Sequence, residues 1–185
     1  SAASDVYKRQ VSSTLDVTTG NYSINLAGDW VNPGGTFNAQ AGTVILDGTK
    51  DQYITGAETF YNLSITGAAG LYLNSNVTAS NLLSMYGGNI YTQGNRITVG
   101  TGTGDPGTLD HSSGSVVGQF ERWITATGTP HFFPLGTSVF HRPSVLIFNN
   151  LAAGSVTGEF IAADPGSSGL PLSEATVSIT DQFPE

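Results

Sequence analysis

The chain has 185 residues, of which 38% are hydrophobic and only 11% are charged, and its formal net charge is −8. The six Lys and Arg residues are mostly scattered, which argues against a nucleic-acid partner because phosphate binding needs clustered cations. The chain has no cysteine, which excludes disulfides, thiolate metal sites and thiol catalysis.

The first ten residues differ from the rest of the chain. Residues 1–10 hold two of the six basic residues and resemble the translated adapter read-through found at the ends of environmental sequence assemblies. We therefore predict that this segment is a non-native leader or sequencing scar, with an ordinary natural leader strand as the alternative. Because the chain starts at Ser1 and not at Met, we expect a piece of a longer secreted protein.

Short apolar runs closed by Gly, Asn or Asp recur from Asp16 to Val99. Their spacing is roughly eight to ten residues, which is typical of a β-repeat or solenoid. No window of helical length carries an i, i+3, i+4, i+7 pattern. The runs are Leu15-Asp16-Val17, Ile24-Asn25-Leu26, Val44-Ile45-Leu46, Leu63-Ser64-Ile65, Leu71-Tyr72-Leu73, Leu82-Leu83 and Ile97-Thr98-Val99.

We predict an all-β chain with a right-handed parallel β-helix-like solenoid over residues 11–112. Three short strands per coil would give a repeat of roughly 20–25 residues, with aliphatic side chains in inner columns and glycine where backbones approach closely. An antiparallel sandwich also spaces its strands in this way. Two-residue hairpin signals are rare, Asp47-Gly48 being one, which favours the solenoid.

The composition changes after the glycine-rich stretch Gly100–Gly107. This stretch lacks the Lys-Ser/Thr ending of a phosphate loop and leads into no helix, so it is interpreted as a linker. We place a boundary near 112–116. Alternating strands with longer Pro and Gly loops then predict a β-sandwich module over 116–185 that we expect to be truncated.

Two groups of motifs carry a family resemblance. The first is Gly28-Asp29-Trp30, Gly35-Thr36-Phe37-Asn38, Gly42-Thr43-Val44 and Phe60-Tyr61-Asn62-Leu63-Ser64-Ile65, and the second is Val117-Gly118, Arg122, Phe133-Pro134-Leu135-Gly136 and His141-Arg142-Pro143. They resemble the repeat region, and the module that follows it, of large secreted surface proteins of Bacteroidota. The resemblance implies export through the type IX secretion system and a surface, adhesive or gliding-associated role.

The acidic residues of the repeat region do not form a recognisable catalytic motif. Glycoside hydrolysis needs two carboxylates that face each other across a sugar. Asp47 and Asp51 flank a turn, and turn capping explains them without catalysis. The calcium-loop pattern D-x-[DN]-x-[DN]-G is absent. We predict no enzymatic activity and no cofactor, with a polysaccharide lyase or glycoside hydrolase as the alternative.

The three histidines, His111, His131 and His141, lie ten or more residues apart without an i, i+4 pair. We interpret each as a surface or packing residue and predict no metal site. Arg142 is a candidate partner for a carboxylate such as Glu121 or Asp164, because its planar guanidinium suits bidentate pairing.

Three tyrosines are candidate contacts for a ligand or partner: Tyr72, Tyr86 and Tyr91. Tyr72 lies between two leucines, so it points outward if the leucines point inward. A row of outward tyrosines on a flat solenoid face is a candidate surface for glycans or proteins, and edge or corner packing is the alternative interpretation.

We therefore predict a secreted or cell-surface structural or adhesive protein that acts as a rigid scaffold, with filament formation by strand addition at Val11–Val17 or Thr176–Thr180. A carbohydrate-binding module or polysaccharide-degrading β-helix enzyme is the alternative. The expected location is extracellular or on the outer cell surface. Candidate partners are copies of the chain or extracellular glycans, without nucleic acid and without membrane insertion, since no apolar run reaches the ~20 residues of a membrane helix.

Overall fold

The computed structural model describes residues 13–150 and 153–163, and outside them only the four short strands at 4–5, 9–10, 172–173 and 178–179. In these parts every regular element is a β-strand, and none is a helix that could cross a membrane. The strands are β1 Ser4–Asp5, β2 Arg9–Gln10, β3 Thr14–Asp16, β4 Ile24–Leu26, β5 Trp30–Val31, β6 Thr36–Asn38, β7 Thr43–Leu46, β8 Gln52–Thr55, β9 Glu58–Ile65, β10 Leu71–Leu73, β11 Val77–Met85, β12 Ile90–Val99, β13 Thr108–His111, β14 Val116–Ile124, β15 Pro130–Phe133, β16 Ser144–Ile147, β17 Gly154–Gly158, β18 Leu172–Ser173 and β19 Ser178–Ile179.

The parallel strands stack as a β-solenoid of about five turns, so the predicted all-β solenoid class is confirmed. Each turn crosses three faces, which we name A, B and C in chain order. Face A consists of β4, β7, the second half of β9, the second half of β11, and β13, all paired in parallel. Face B consists of β5, β8, β10 and the first parts of β12 and β14.

Face C contains the first halves of β9 and β11 and the last parts of β12 and β14. The strand pair β3–β6 precedes them as a separate two-stranded sheet. β9 and β11 run from face C to face A, whereas β12 and β14 run from face B to face C. Since these long strands cross the corners without interruption, the faces join into one 13-stranded sheet.

Aliphatic side chains fill the interior in columns, because parallel in-register pairing places equivalent residues above one another. Ile24, Val44, Leu63, Leu83 and Leu109 occupy one such column on face A. The repeat is about 20 residues for the first four of these, at the lower end of the predicted range. A second face A column contains Leu26, Leu46, Ile65 and Met85, all buried.

Glycines form a second kind of column at the corner between faces A and B. A Cβ added at Gly48 would lie 2.6 Å from the Ala27 carbonyl oxygen, and one at Gly67 or Gly87 would collide with the glycine of the preceding turn. The backbone there is tied from turn to turn, as the Gly88 N–H donates to the Gly67 carbonyl at 2.8 Å. The corner therefore requires glycine for close approach of successive turns.

The C-terminal end of the stack is closed by the segment that follows the last turn. β17 pairs antiparallel with β14, so the parallel series on face C ends there. Leu135 forms a parallel bridge to Val116 on face B. Phe133 packs edge-on against Phe120, with ring centroids 5.5 Å apart. On faces B and C, this closure shields strand edges that an open solenoid would leave unpaired.

The β-sandwich predicted for 116–185 is not confirmed. Residues 116–122 of β14 instead complete the last solenoid turn, because they continue the parallel pairing with β12. β15 and β16 form a hairpin next to this turn, and β18 and β19 form another.

The stretch Gly100–Gly107, interpreted as a linker, is an insertion at the corner before β13 within the solenoid. The prediction for residues 1–10 concerns a segment that lies outside the described residues apart from β1 and β2.

Replacing Gly87 by alanine tests the glycine column. We expect Gly87→Ala to lower the free energy of unfolding by about 1–3 kcal/mol, since the methyl group forces apart two backbones that carry the turn-to-turn hydrogen bonds. Gly102→Ala is the matched control, because a Cβ at Gly102 meets no atom within 4 Å. Urea denaturation followed by circular dichroism measures both, and equal stabilities of the two variants would contradict the interpretation.

Candidate functional site

The corner side chains bind one turn of the solenoid to the next. Asp29 Oδ1 accepts the Tyr53 N–H at 3.1 Å, and Asp51 Oδ1 accepts the Gly70 N–H at 3.0 Å. Asn89 Oδ1 accepts the Ser115 N–H at 2.8 Å in the same way. Asp and Asn oxygens thus satisfy backbone donors of the following turn, which is a structural use of these side chains.

The two glutamates of the solenoid have comparable structural partners. Glu58 Oε2 accepts hydrogen bonds from Trp30 Nε1 at 3.1 Å and from Asn32 Nδ2 at 2.7 Å. Glu121 forms an ion pair with Arg96, with Oε2 and Nε 3.0 Å apart. Within the described residues, no group of three or more His, Asp or Glu side chains is arranged to hold a metal ion.

Face B carries a row of stacked tyrosines that we name the tyrosine ladder: Tyr53, Tyr72 and Tyr91. The three residues are in register on β8, β10 and β12. Ring centroids are 5.2 Å apart for Tyr53 and Tyr72, and 4.6 Å apart for Tyr72 and Tyr91. The neighbouring Leu71 and Leu73 are buried, so the predicted outward orientation of Tyr72 is confirmed.

The structure brings two of the three predicted site residues together and separates the third. Tyr72 and Tyr91 are stacked, whereas Tyr86 lies at the corner after β11 and donates its hydroxyl hydrogen to Asp110 Oδ2. This hydrogen bond is the main cause that raises the pKa of Tyr86. Tyr53 is not one of the three predicted site residues, although Gln52-Tyr53-Ile54 alternates as Leu71-Tyr72-Leu73 does and lies one repeat earlier.

The geometry of the ladder limits what it can bind. Tyr72 has a ring on each side, so its flat faces are covered and its edge and hydroxyl face outward. Desolvation is the largest cause that raises the pKa of Tyr72, followed by the negative charge of Asp51. Stacking a planar ligand requires a free ring face. The role of Tyr72, Tyr86 and Tyr91 as a ligand surface stays a prediction.

Two histidines that are distant in sequence meet at the end of face A. The rings of His111 and His141 are 5.5 Å apart and nearly parallel, at 8°. His111 Nε2 contacts the Gly114 carbonyl at 2.8 Å, and His141 Nδ1 contacts Ser115 Oγ at 2.7 Å. They line a hollow of about 250 Å³. Parallel stacked rings do not direct their nitrogen lone pairs at one point, and one nitrogen of each ring already contacts an oxygen of the chain.

Arg142 contacts an aromatic ring and not the Glu121 carboxylate that the sequence suggested as its partner. Arg142 lies over the Phe140 ring, at 4.9 Å, and Glu121 is paired with Arg96 instead. The proposed Arg142–Glu121 pair is therefore wrong, and Asp164 lies outside the described residues. Arg122 is partly buried and donates from Nη1 to the Phe132 carbonyl at 3.0 Å, and desolvation lowers its pKa.

Comparison with known proteins gives no match for this chain: no family model, no curated protein and no solved structure is similar to it.

Removing the central ring tests whether the tyrosine ladder stabilises the stack. Each aromatic pair contributes about 0.5–1.5 kcal/mol beyond area burial. We expect Tyr72→Ala, which loses two ring contacts, to lower the free energy of unfolding about twice as much as Tyr53→Ala, which loses one. Tyr72→Phe should preserve stability. Urea denaturation checks the order, and equal losses for the two alanine variants would contradict it.

From the stacked pair of His111 and His141 we predict that the stability of the fold around them depends on pH. Desolvation, and secondarily the nearby His111, lowers the pKa of His141 in the folded protein. The folded state therefore has this part of its stability in full above the ordinary histidine pKa of about 6.5, where His141 is neutral. That stability is lost as the pH falls through the lower pKa that His141 has in the folded protein.

We expect His111→Phe, which keeps a ring against His141 but removes the second cation, to raise the pKa of His141. The pKa should remain below its usual range because desolvation, the larger cause, persists. A titration of the imidazole resonances by NMR measures this. An unchanged or lowered pKa in the variant would show that His111 does not act on His141 through charge.

Proposed function

We propose that this chain is a rigid scaffold segment of a secreted or cell-surface protein, which holds a polar and weakly charged surface in the extracellular space. The observation that carries the proposal is the unbroken stack of buried columns and turn-to-turn hydrogen bonds over about five turns. Such a stack is stiff because bending it would break backbone pairing and core packing at the same time.

The chemistry of the surface supports a passive role. Charged residues are 11% of the chain, and the solenoid corners carry amides, hydroxyls and glycines. Asp29 and Asp51 stabilise corners, Glu58 accepts hydrogen bonds from Trp30 and Asn32, and Glu121 is paired with Arg96. The sequence resemblance to large secreted surface proteins of Bacteroidota agrees with this role, and export through the type IX secretion system is part of the proposal.

Self-assembly by strand addition stays a prediction. Of the two segments suggested for it, Thr14–Asp16 within Val11–Val17 already pairs with Thr36–Asn38 of the same chain. Thr176–Thr180 lies outside the described residues apart from β19, which pairs with β18. The antiparallel β17 also closes face C at one end. The scaffold proposal therefore does not depend on filament formation.

Immunolabelling of cells that produce the full protein tests the proposed location and role. We expect an antibody raised against residues 13–150 to label intact cells, because a scaffold segment of this kind is exposed outside the cell. The same antibody on permeabilised cells, together with an antibody against a cytoplasmic protein, is the control. Labelling that requires permeabilisation would contradict the proposal.

A further inference from the structure

Two neighbouring hollows lie along the corner between faces C and A. They have volumes of about 340 and 470 Å³ and share Tyr61 and Ser80 in their walls. The first also contains Asn38 and Gln40, and the second extends past Asn81 to Asp105. We name this feature the corner groove. It passes four successive corners, a length of about 14 Å at ~4.8 Å per turn.

An irregularity in strand pairing positions the aromatic residue of the corner groove. β9 and β11 pair in register up to Phe60 and Ala79, and the pairing resumes at Asn62 and Leu82. Tyr61 is therefore opposite two residues, Ser80 and Asn81, and no tyrosine lies above or below it in register. Among the described residues, the Tyr61 ring stacks on no other aromatic side chain, in contrast to Tyr72.

The corner groove offers both hydrogen-bond acceptors and donors, since Tyr61 and the threonines contribute hydroxyls beside the side-chain amides. Asn81 Nδ2 donates to Asn62 Oδ1 at 2.7 Å, and Gln40 Nε2 donates to Asp16 Oδ1 at 3.3 Å. The amide oxygens of Asn81 and Gln40 are left for a ligand. Ser80 Oγ donates to the Phe60 carbonyl at 3.2 Å, so the lone pairs of Ser80 Oγ remain available to accept a hydrogen bond. A ligand with many hydroxyl groups suits this surface, because hydroxyls both donate to these acceptors and accept from the donors of the groove.

The charge of the corner groove further restricts the class of ligand that it can bind. None of the described residues that line it is basic, and Asp105 is the one acid among them. An acidic polysaccharide would meet this carboxylate and the chain's net charge of −8 without a compensating cation. A neutral ligand avoids this repulsion, and the Asp105 carboxylate then serves as an acceptor for ligand hydroxyls.

We propose that the corner groove binds a neutral polysaccharide chain, with Tyr61 as the platform for one sugar ring. A pyranose has an apolar face that stacks on an aromatic ring and a rim of hydroxyl donors that matches the acceptors of the groove. The groove runs along the solenoid axis, so consecutive sugar units follow successive turns. This site is distinct from the tyrosine ladder, whose central ring has no free face.

Calorimetric titration of the full chain with neutral hexasaccharides tests the proposal, using cellohexaose, xylohexaose, mannohexaose and chitohexaose as probes. We expect at least one to bind. Tyr61→Ala should weaken that binding by about tenfold or more, which is the scale of losing one aromatic stacking contact. Tyr61→Phe should keep the affinity within about twofold, because it retains the ring. Circular dichroism confirms that each variant is folded.

Tyr72→Ala is the matched control, since it removes a tyrosine of the ladder and leaves the corner groove intact. Its affinity should equal that of the parent chain. Binding of none of the four probes at millimolar concentration would overturn the proposal, as would equal affinities of Tyr61→Ala and the parent. Tighter binding of hexagalacturonate than of every neutral probe would overturn the choice of a neutral ligand. None of these outcomes bears on the scaffold proposal, which does not require glycan binding.

Discussion

Parallel, in-register pairing between successive turns is the interaction on which the rest of this structure depends. It places every residue above its counterpart at the spacing of hydrogen-bonded strands, about 4.8 Å. Each special position follows from that spacing. Leucine and isoleucine form buried columns, glycine is required where corners approach, and Asp29 and Asp51 accept backbone hydrogens of the next turn. The stability of one turn therefore depends on the presence of its neighbours.

A stack of this kind has no intrinsic end, so the chain needs a separate device to close it. Here the closure combines a reversed strand with large side chains. β17 runs antiparallel to β14, Leu135 covers face B, and Phe133 meets Phe120 edge-on. Arg122 occupies the place that Val99 has one turn earlier, and its guanidinium binds the Phe132 carbonyl. A charged group is tolerated at this position because the column ends there, so the side chain is only partly buried and one of its donors reaches a backbone carbonyl.

The same spacing explains why regular positions and irregular positions differ in what they can bind. Tyr53, Tyr72 and Tyr91 are in register, so their rings cover one another and contribute to the stack. Tyr61 lies where the pairing of β9 and β11 is interrupted, and its ring has no counterpart. An unbroken column thus uses its side chains on its own neighbours, whereas the break in pairing leaves the Tyr61 ring outside any column.

The sequence by itself determined the all-β class, the repeat and the inward or outward direction of side chains such as Leu71 and Tyr72, because alternation along a strand is a local property. The tertiary structure decided what depends on pairing between distant segments. Register is one case: Ile45 pairs with Ser64, and Ile65 with Leu46, although Ile45 and Ile65 are one repeat apart in sequence. The insertion at 100–107 lengthens one turn and interrupts the sequence period. For this reason the sequence did not reveal that 116–122 continue the solenoid, nor that His111 and His141 lie side by side. Local periodicity carries no information on such contacts, since they arise only when turns of unequal length are stacked.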